Sequence, residues 1–85
     1  LKPDFARAYN NLGNALAIKG SFDTAISHYQ KALQLNPDYA KAHYNLAKTY
    51  LQLGDNTKAG NELKITLQLA PGMAEARQLL QNIER

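Results

Sequence analysis

Residues Asn36–Asp55 read NPDYAKAHYNLAKTYLQLGD, and residues Lys2–Ser21 read KPDFARAYNNLGNALAIKGS. The two stretches are near copies set 34 residues apart. The prolines mark the interval most plainly, because Pro3, Pro37 and Pro71 follow one another at that spacing. Laying Ala6–Tyr39 over Ala40–Met73 gives ten identities: Ala6/Ala40, Ala8/Ala42, Asn11/Asn45, Leu12/Leu46, Gly20/Gly54, Ala25/Ala59, Leu33/Leu67, Gln34/Gln68, Leu35/Leu69 and Pro37/Pro71. The period rests on several residue types, which is the mark of a chain built from repeated units.

Each period holds two helical patterns. Tyr9, Leu12, Gly13 and Leu16 recur at i, i+3, i+4 and i+7, one face of a helix, and His43, Leu46, Ala47 and Tyr50 repeat that face. Gly20 and Gly54 are placed to stop these helices, since glycine takes the left-handed conformation of a helix end without a steric penalty. Ser21 and Asp55 follow at once, where their side chains can cap the next helix. That helix carries Phe22, Ala25, Ile26, Tyr29, Ala32 and Leu33 on one stripe and ends before Asn36-Pro37, because proline disfavours helical geometry in the residue preceding it. Short connections make the helices antiparallel neighbours. One hairpin cannot bury its stripes alone, and stacking on the next does so, which accounts for the repetition. Gly13, Ala25, Ala47 and Ala59 are small residues at mid-helix and suit close approach of helix axes.

Composition sets the remaining bounds. Eighty-five residues allow one small domain with a modest core. Ten Lys and Arg against seven Asp and Glu leave a formal charge of +3, spread singly. Nothing in that pattern calls for a nucleic-acid backbone as partner. A hydrophobic fraction of 45% is too high for a disordered segment. No apolar run approaches the ~20 residues that a membrane-spanning helix needs. With no cysteine, disulfides and thiolate metal sites are excluded and the redox compartment stays open. The start at Leu1 reads as a fragment or a processed piece.

Ala8–Gly13 (AYNNLG), followed by Gly20, Phe22, Ala25, Tyr29, Ala32 and Pro37, resembles the tetratricopeptide repeat (TPR) signature, and the 34-residue spacing matches that family's length. The resemblance covers essentially the whole chain. It implies an all-α fold of about five helices, in tandem antiparallel hairpins stacked as a right-handed superhelical solenoid. The expected organisation is 1–5 as the tail of a preceding repeat, 6–39 and 40–73 as repeats, and 74–85 as a C-terminal capping helix. Ala76, Leu79, Leu80 and Ile83 form the apolar face of that last helix, and Gln81 stands where Gly13 and Ala47 stand earlier. The second repeat departs from the pattern at Asn56, Gly60, Leu63 and Thr66, which replace Phe22, Ile26, Tyr29 and Ala32. Gly60 is either a weak helix position or the site of a close helix crossing.

Catalytic chemistry is hard to place. His43 falls at the core position that Tyr9 fills in the first repeat, and His28 is expected to be solvated. The two are not at the i, i+4 spacing of a helical metal pair. The acids Asp4, Asp23, Asp38, Asp55, Glu62, Glu75 and Glu84 are expected near helix starts or on outer faces. No glycine-rich phosphate loop is present. The segment reads as a non-enzyme, without cofactor or metal.

The first helices carry a second ridge with helical period and mixed polarity. It comprises Arg7, Asn10, Asn11, Asn14, Ala17 and Ile18, then Lys41, Tyr44, Asn45, Lys48, Leu51 and Gln52, with Glu75, Gln78 and Asn82 in the last helix. By the TPR resemblance this ridge lines a concave groove that holds a peptide or a partner's helix. Asn11 and Asn45 share one repeat position. They read either as a ladder for a peptide backbone, similar to that in the superhelix of O-linked GlcNAc transferases, or as ties between neighbouring helices or water-facing amides. Arg7, Lys41 and Lys48 favour an acidic ligand. The two-carboxylate clamp of some TPR co-chaperones would fall on Asn10, Asn14, Asn45, Glu75 and Leu79, and only Asn14 and Asn45 have the required type. The expected role is therefore a protein–protein interaction scaffold. The alternative is a substrate-recruiting segment of a larger enzyme such as a glycosyltransferase. RNA binding is disfavoured by the weak charge and by the lack of interleaved cations and aromatics. More repeats are expected before this fragment, so its first helix is expected to present an unfinished apolar surface that invites self-association.

Overall fold

The structure is a computed structural model that describes residues 3–85. Five helices follow in order: α1 (Pro3–Ile18), α2 (Phe22–Leu35), α3 (Ala40–Gln52), α4 (Asn56–Leu69) and α5 (Ala74–Ile83). The described residues are all-α. α1 packs on α2 and α3 on α4 as hairpins, α2 meets α3 and α4 meets α5 between them, and α1 also touches α3. The shape is a slab of 38 × 27 × 16 Å. Its thin dimension is too small for more than two helix layers, at ~10 Å per helix.

The two glycines end the first helices of the hairpins in the same way. Gly20 has φ of 83° and Gly54 of 81°. Ser21 N–H donates to Leu16 O at 2.9 Å and Gly20 N–H to Ala17 O at 3.0 Å; Asp55 to Tyr50 O and Gly54 to Leu51 O repeat both bonds. This paired closure satisfies carbonyls that a helix end leaves open. The second helices begin differently. Asp55 accepts from Lys58 N–H at 3.0 Å and caps α4. Ser21 occupies the matching position, but its side chain makes no capping bond, so α2 starts without one.

Two clusters form the core. Ala25, Tyr29 and Leu46 join the hairpins, with Leu16, Ile26, Leu33 and Tyr50 around them. Ala47, Leu63 and Ala76 join α3, α4 and α5, with Leu67, Met73, Leu79, Leu80 and Ile83 around them. Gly13 lies beneath the Tyr29 ring, so close that a Cβ there would come within 2.7 Å of ring carbon Cε1. One period later the pair becomes Ala47 and Leu63, both fully buried, so the smaller side chain on α4 leaves room for a methyl on α3. Gly60 is different. It is buried, yet an added Cβ would meet nothing within 4 Å, so it is a weak helix position and not a crossing point. Thr66, fully buried where Ala32 stands earlier, satisfies its hydroxyl on Glu62 O at 2.8 Å.

Four expectations change. α1 begins at Pro3, not at Ala6, so residues 3–5 of the expected tail are its first turn; Leu1 and Lys2 lie outside the described residues. Proline is well suited to a helix start, and Asp4 pairs with Arg7 at 2.9 Å. At the matching positions Tyr39 and Met73, the chain is extended because it must reverse after α2 and α4. Leu12 shares the stripe of Tyr9 and Gly13 but is 47% exposed, whereas Leu46 is 3% exposed. Leu46 is sealed by α2 of the preceding hairpin, and no described helix holds that place against α1. His28 is half-buried, bonded through Nδ1 to Thr24 O at 2.8 Å and tilted against the Tyr9 ring at 6.1 Å between centroids. Glu62 is no outer-face acid: its Oε1 lies 2.7 Å from His43 Nδ1, while His43 Nε2 lies 2.9 Å from Pro37 O. His43 thus ties the loop before α3 to α4.

Candidate peptide groove

The ridge residues of α1 and α3 converge on two adjoining depressions. The larger, about 620 Å³, lies between the C-terminal halves of α1 and α3, with Ala17, Ile18, Phe22, Lys48 and Gln52 at its walls. The smaller, about 360 Å³, lies between their N-terminal halves and is walled by Arg7, Asn11, Lys41, Tyr44 and Glu75. Asn14 and Asn45 line both, so the depressions form one continuous trough.

The trough is floored by amides. Asn45 Nδ2 donates to Asn10 Oδ1 at 3.0 Å, and Asn10 Nδ2 donates to Tyr39 Oη at 3.4 Å. Asn10 is only 4% exposed. The sequence placed it on the free ridge; the structure makes it part of the floor, joining the two hairpins. Tyr29 Oη donates to Asn14 Oδ1 at 2.5 Å. Asn14 keeps its amide N–H groups unbonded, and Asn45 keeps Oδ1 unbonded. Of the two readings of the Asn11/Asn45 pair, the tie between helices holds for Asn45, which reaches Asn10 and not Asn11. Asn11 is exposed.

Leu51 lines neither depression. It is half-buried. Sequence reasoning missed Tyr39, Met73 and Phe22 as lining residues. Phe5, Tyr39 and Met73 share one repeat position, and that bulky series was the available signal. Phe22 belonged to the apolar stripe of α2, which gave no hint that its edge would open onto the trough.

Charge on the walls is mainly positive. Lys48 Nζ stands 4.9 Å from the Tyr44 ring centroid, a cation–π contact, and Lys41 is exposed. Arg7 is held by Asp4, and Glu75 is the one acid at the rim. Burial raises the Tyr29 hydroxyl above its ordinary pKa of 10.0. Burial and, less strongly, the Glu75 carboxylate raise Tyr44. Among the described residues, no group of three or more His, Asp or Glu is placed to hold a metal ion, and no helix is long and apolar enough to cross a membrane.

Stacked helix hairpins with a trough along their first helices define an α-helical repeat protein. Two family profiles match, one described as TPR repeat over residues 13–54 and one as tetratricopeptide repeat over residues 40–71. The chain belongs to the tetratricopeptide repeat family. TPR domains typically mediate protein–protein interactions and are typically non-catalytic. No curated protein sequence matches the chain. Among solved structures it is similar to MamA, at 32% identity and TM-score 0.92 over 98% of this chain and 48% of that one, so it spans about half of MamA's length. It also resembles a chain of the APC/C hetero-tetramer Cut9–Hcn1, at 26% identity and TM-score 0.93 over 98% of this chain and 16% of that one. The first TPR of Spaghetti (RPAP3), solved with the HSP90 peptide SRMEEVD, shares the fold at TM-score 0.94 and 20% identity, over 99% of this chain and 67% of that one.

Proposed function

We propose that the chain binds an extended, acidic peptide or protein segment in the trough between α1 and α3. The observation that carries this reading is the continuous trough in which Asn14 and Asn45 each keep an amide atom free, flanked by Lys41 and Lys48. A main-chain carbonyl can accept from Asn14 and a main-chain N–H can donate to Asn45, which fixes an extended segment independently of its side chains. Lys41 and Lys48 then favour carboxylates over ammonium groups. An acidic ligand is supported by the RPAP3 structure, which was solved with a peptide that contains two glutamates and an aspartate.

The test is a binding array of acidic, neutral and basic peptides against the chain and its Lys41→Glu/Lys48→Glu variant. Acidic peptides should bind the parent best and lose affinity in the variant, with helicity unchanged. Equal binding of acidic peptides to both proteins would overturn the reading.

A second contact, between copies of the chain through the N-terminal helix, is favoured by a separate observation. α1 exposes Phe5, Ala8, Leu12 and Ala15, whereas the matching Ala42, Leu46 and Thr49 of α3 are buried.

A further inference from the structure

The trough has two unlike walls, and both come from the first three helices. On the side of α1 and the start of α2, the larger depression is bounded by Ala17, Ile18 and Phe22. On the side of α3 it is bounded by Lys48 and Gln52, and Lys48 is the one charged residue of its lining. Ile18 is 87% exposed, more than any other large apolar side chain among the described residues. At the positions of Ile18 and Phe22 the second hairpin carries Gln52 and Asn56. That hairpin closes with the same backbone bonds, so the fold does not call for apolar residues there. The free cations lie on the opposite wall. Lys41 and Lys48 both stand on α3, whereas Arg7 of α1 is paired with Asp4. Glu75, the one acid of the trough's lining, is confined to the smaller depression.

An extended segment would meet the two walls in alternation. In an extended chain the main-chain N–H and C=O groups point at right angles to the side chains, and successive side chains point to opposite sides. The unbonded amide atoms of Asn14 and Asn45 belong to the floor. A segment held there by its main chain therefore turns its side chains by turns to the α1–α2 wall and to the α3 wall. One set of alternate positions meets apolar surface and the other meets ammonium groups. Seven extended residues, about 23 Å at ~3.3 Å each, match the roughly 20 Å length of α3.

We infer that the trough selects a segment in which an apolar side chain is flanked on both sides by acidic ones. The apolar residue lies against Ile18 and Phe22, and its neighbours turn to Lys48 and Lys41 on α3. This rests on the proposed binding of an acidic segment in the trough and adds the order of residues in the ligand. A run of acids alone would fit less well, because every second carboxylate would lose water against the apolar wall without gaining a cation.

Two end-blocked heptapeptides of one composition test the order: acetyl-Ser-Gly-Glu-Leu-Glu-Gly-Ser-amide and acetyl-Ser-Glu-Gly-Leu-Gly-Glu-Ser-amide. Each has the same sequence in both directions, so the direction of the bound chain does not enter. In the first, the glutamates face the wall opposite the leucine. In the second, they share the leucine's wall, so either the leucine contact or both carboxylate contacts are forfeited. Affinities read from NMR chemical-shift titration of the chain should favour the first peptide by about tenfold. Ile18→Gln, the residue of the second hairpin at that position, should weaken the first peptide by about fivefold, with circular dichroism unchanged because Ile18 is exposed. Equal affinity for the two peptides, preference for the second, or equal binding of the first to parent and Ile18→Gln overturns the inference. If both peptides nevertheless bind and lose affinity in Lys41→Glu/Lys48→Glu, the acidic-segment reading stands and only the order falls. If neither peptide binds the parent, both fall.

Discussion

Gly13→Ala should destabilise the protein, although alanine is the better helix former. The substitution gains about 1 kcal/mol of helix propensity. Against this, the new Cβ would sit 2.7 Å from Tyr29 Cε1 and 2.8 Å from Cδ1. Carbon pairs prefer ~3.5–4.0 Å, so the ring would have to retreat by roughly 0.7 Å or more. It has little room, being packed with Ala25 and Leu46 and tethered through Oη to Asn14. Overpacking of this kind costs about 1–3 kcal/mol, and a buried ring held at both ends belongs toward the upper end. The expected net loss is about 1–2 kcal/mol, or roughly 4–16 °C in Tm for a domain of this size. In a Tyr29→Leu background the obstruction is gone, and Gly13→Ala should instead stabilise by up to about 1 kcal/mol. The coupling between the two sites is then about 2–3 kcal/mol, within the range of directly packed pairs. The second hairpin already carries the compensated pair, Ala47 with Leu63. Urea unfolding of the four proteins in the cycle, on a Gly60→Ala background to keep all of them folded, measures the coupling. A rise in stability for Gly13→Ala alone, or a coupling near zero, would refute the reasoning.

Gly60→Ala should raise stability by about 1 kcal/mol, because the added methyl meets no neighbour within 4 Å; a thermal melt checks this. Asn45→Ala should cost about 1–3 kcal/mol, since it strips the buried Asn10 Oδ1 of its donor, whereas Asn11→Ala should leave monomer stability within about 0.5 kcal/mol of the parent, both read by urea titration. Alkaline unfolding should set in as the pH passes 10: burial raises Tyr29, Tyr44 and Tyr50, so the unfolded chain loses these protons first and gains stability relative to the fold as pH rises. Tyr50, raised further by Glu62 and Asp55, contributes to the same loss, and Tyr50→Phe should flatten the pH dependence measured by circular dichroism.

The period, the hairpins and the helix ends were legible because each depends on local chemistry. Pro37 and Pro71 disfavour helix in the residues before them, and Gly20 and Gly54 supply the positive φ that closes the first helices. The start of α1 was not legible. Phe5 and Tyr39 occupy one repeat position, yet Phe5 lies within α1, whereas Tyr39 is extended where the chain reverses from α2 into α3. The reach of His43 to Glu62 was equally hidden, because its partners are set by hairpin packing and not by any spacing along the chain. Repeat logic also misjudged Leu12. Identity with Leu46 implied an identical environment, but burial belongs to the neighbour that covers a residue and not to the residue itself.

The same distinction separates the amides of the trough. The first-helix ridge carries asparagine at 10, 11, 14 and 45, and period alone treats them as one class of groove residue. Packing divides them by what each already holds. Asn10 is bonded on both amide atoms and joins the hairpins. Asn14 and Asn45 are each bonded on one, so they are positioned by the fold and still able to bind. Asn11 is exposed at the edge of the trough. A side chain half committed to its own fold has lost most of its rotamer freedom before a ligand arrives, and binding through it costs less entropy than binding through a free one. In the proposed binding mode Asn14 and Asn45 are therefore the pair on which a ligand's backbone would depend, while the lysines around them would select among ligands by charge. Removing the Asn14 amide should weaken every peptide alike, whereas reversing Lys41 and Lys48 should change the order in which peptides bind.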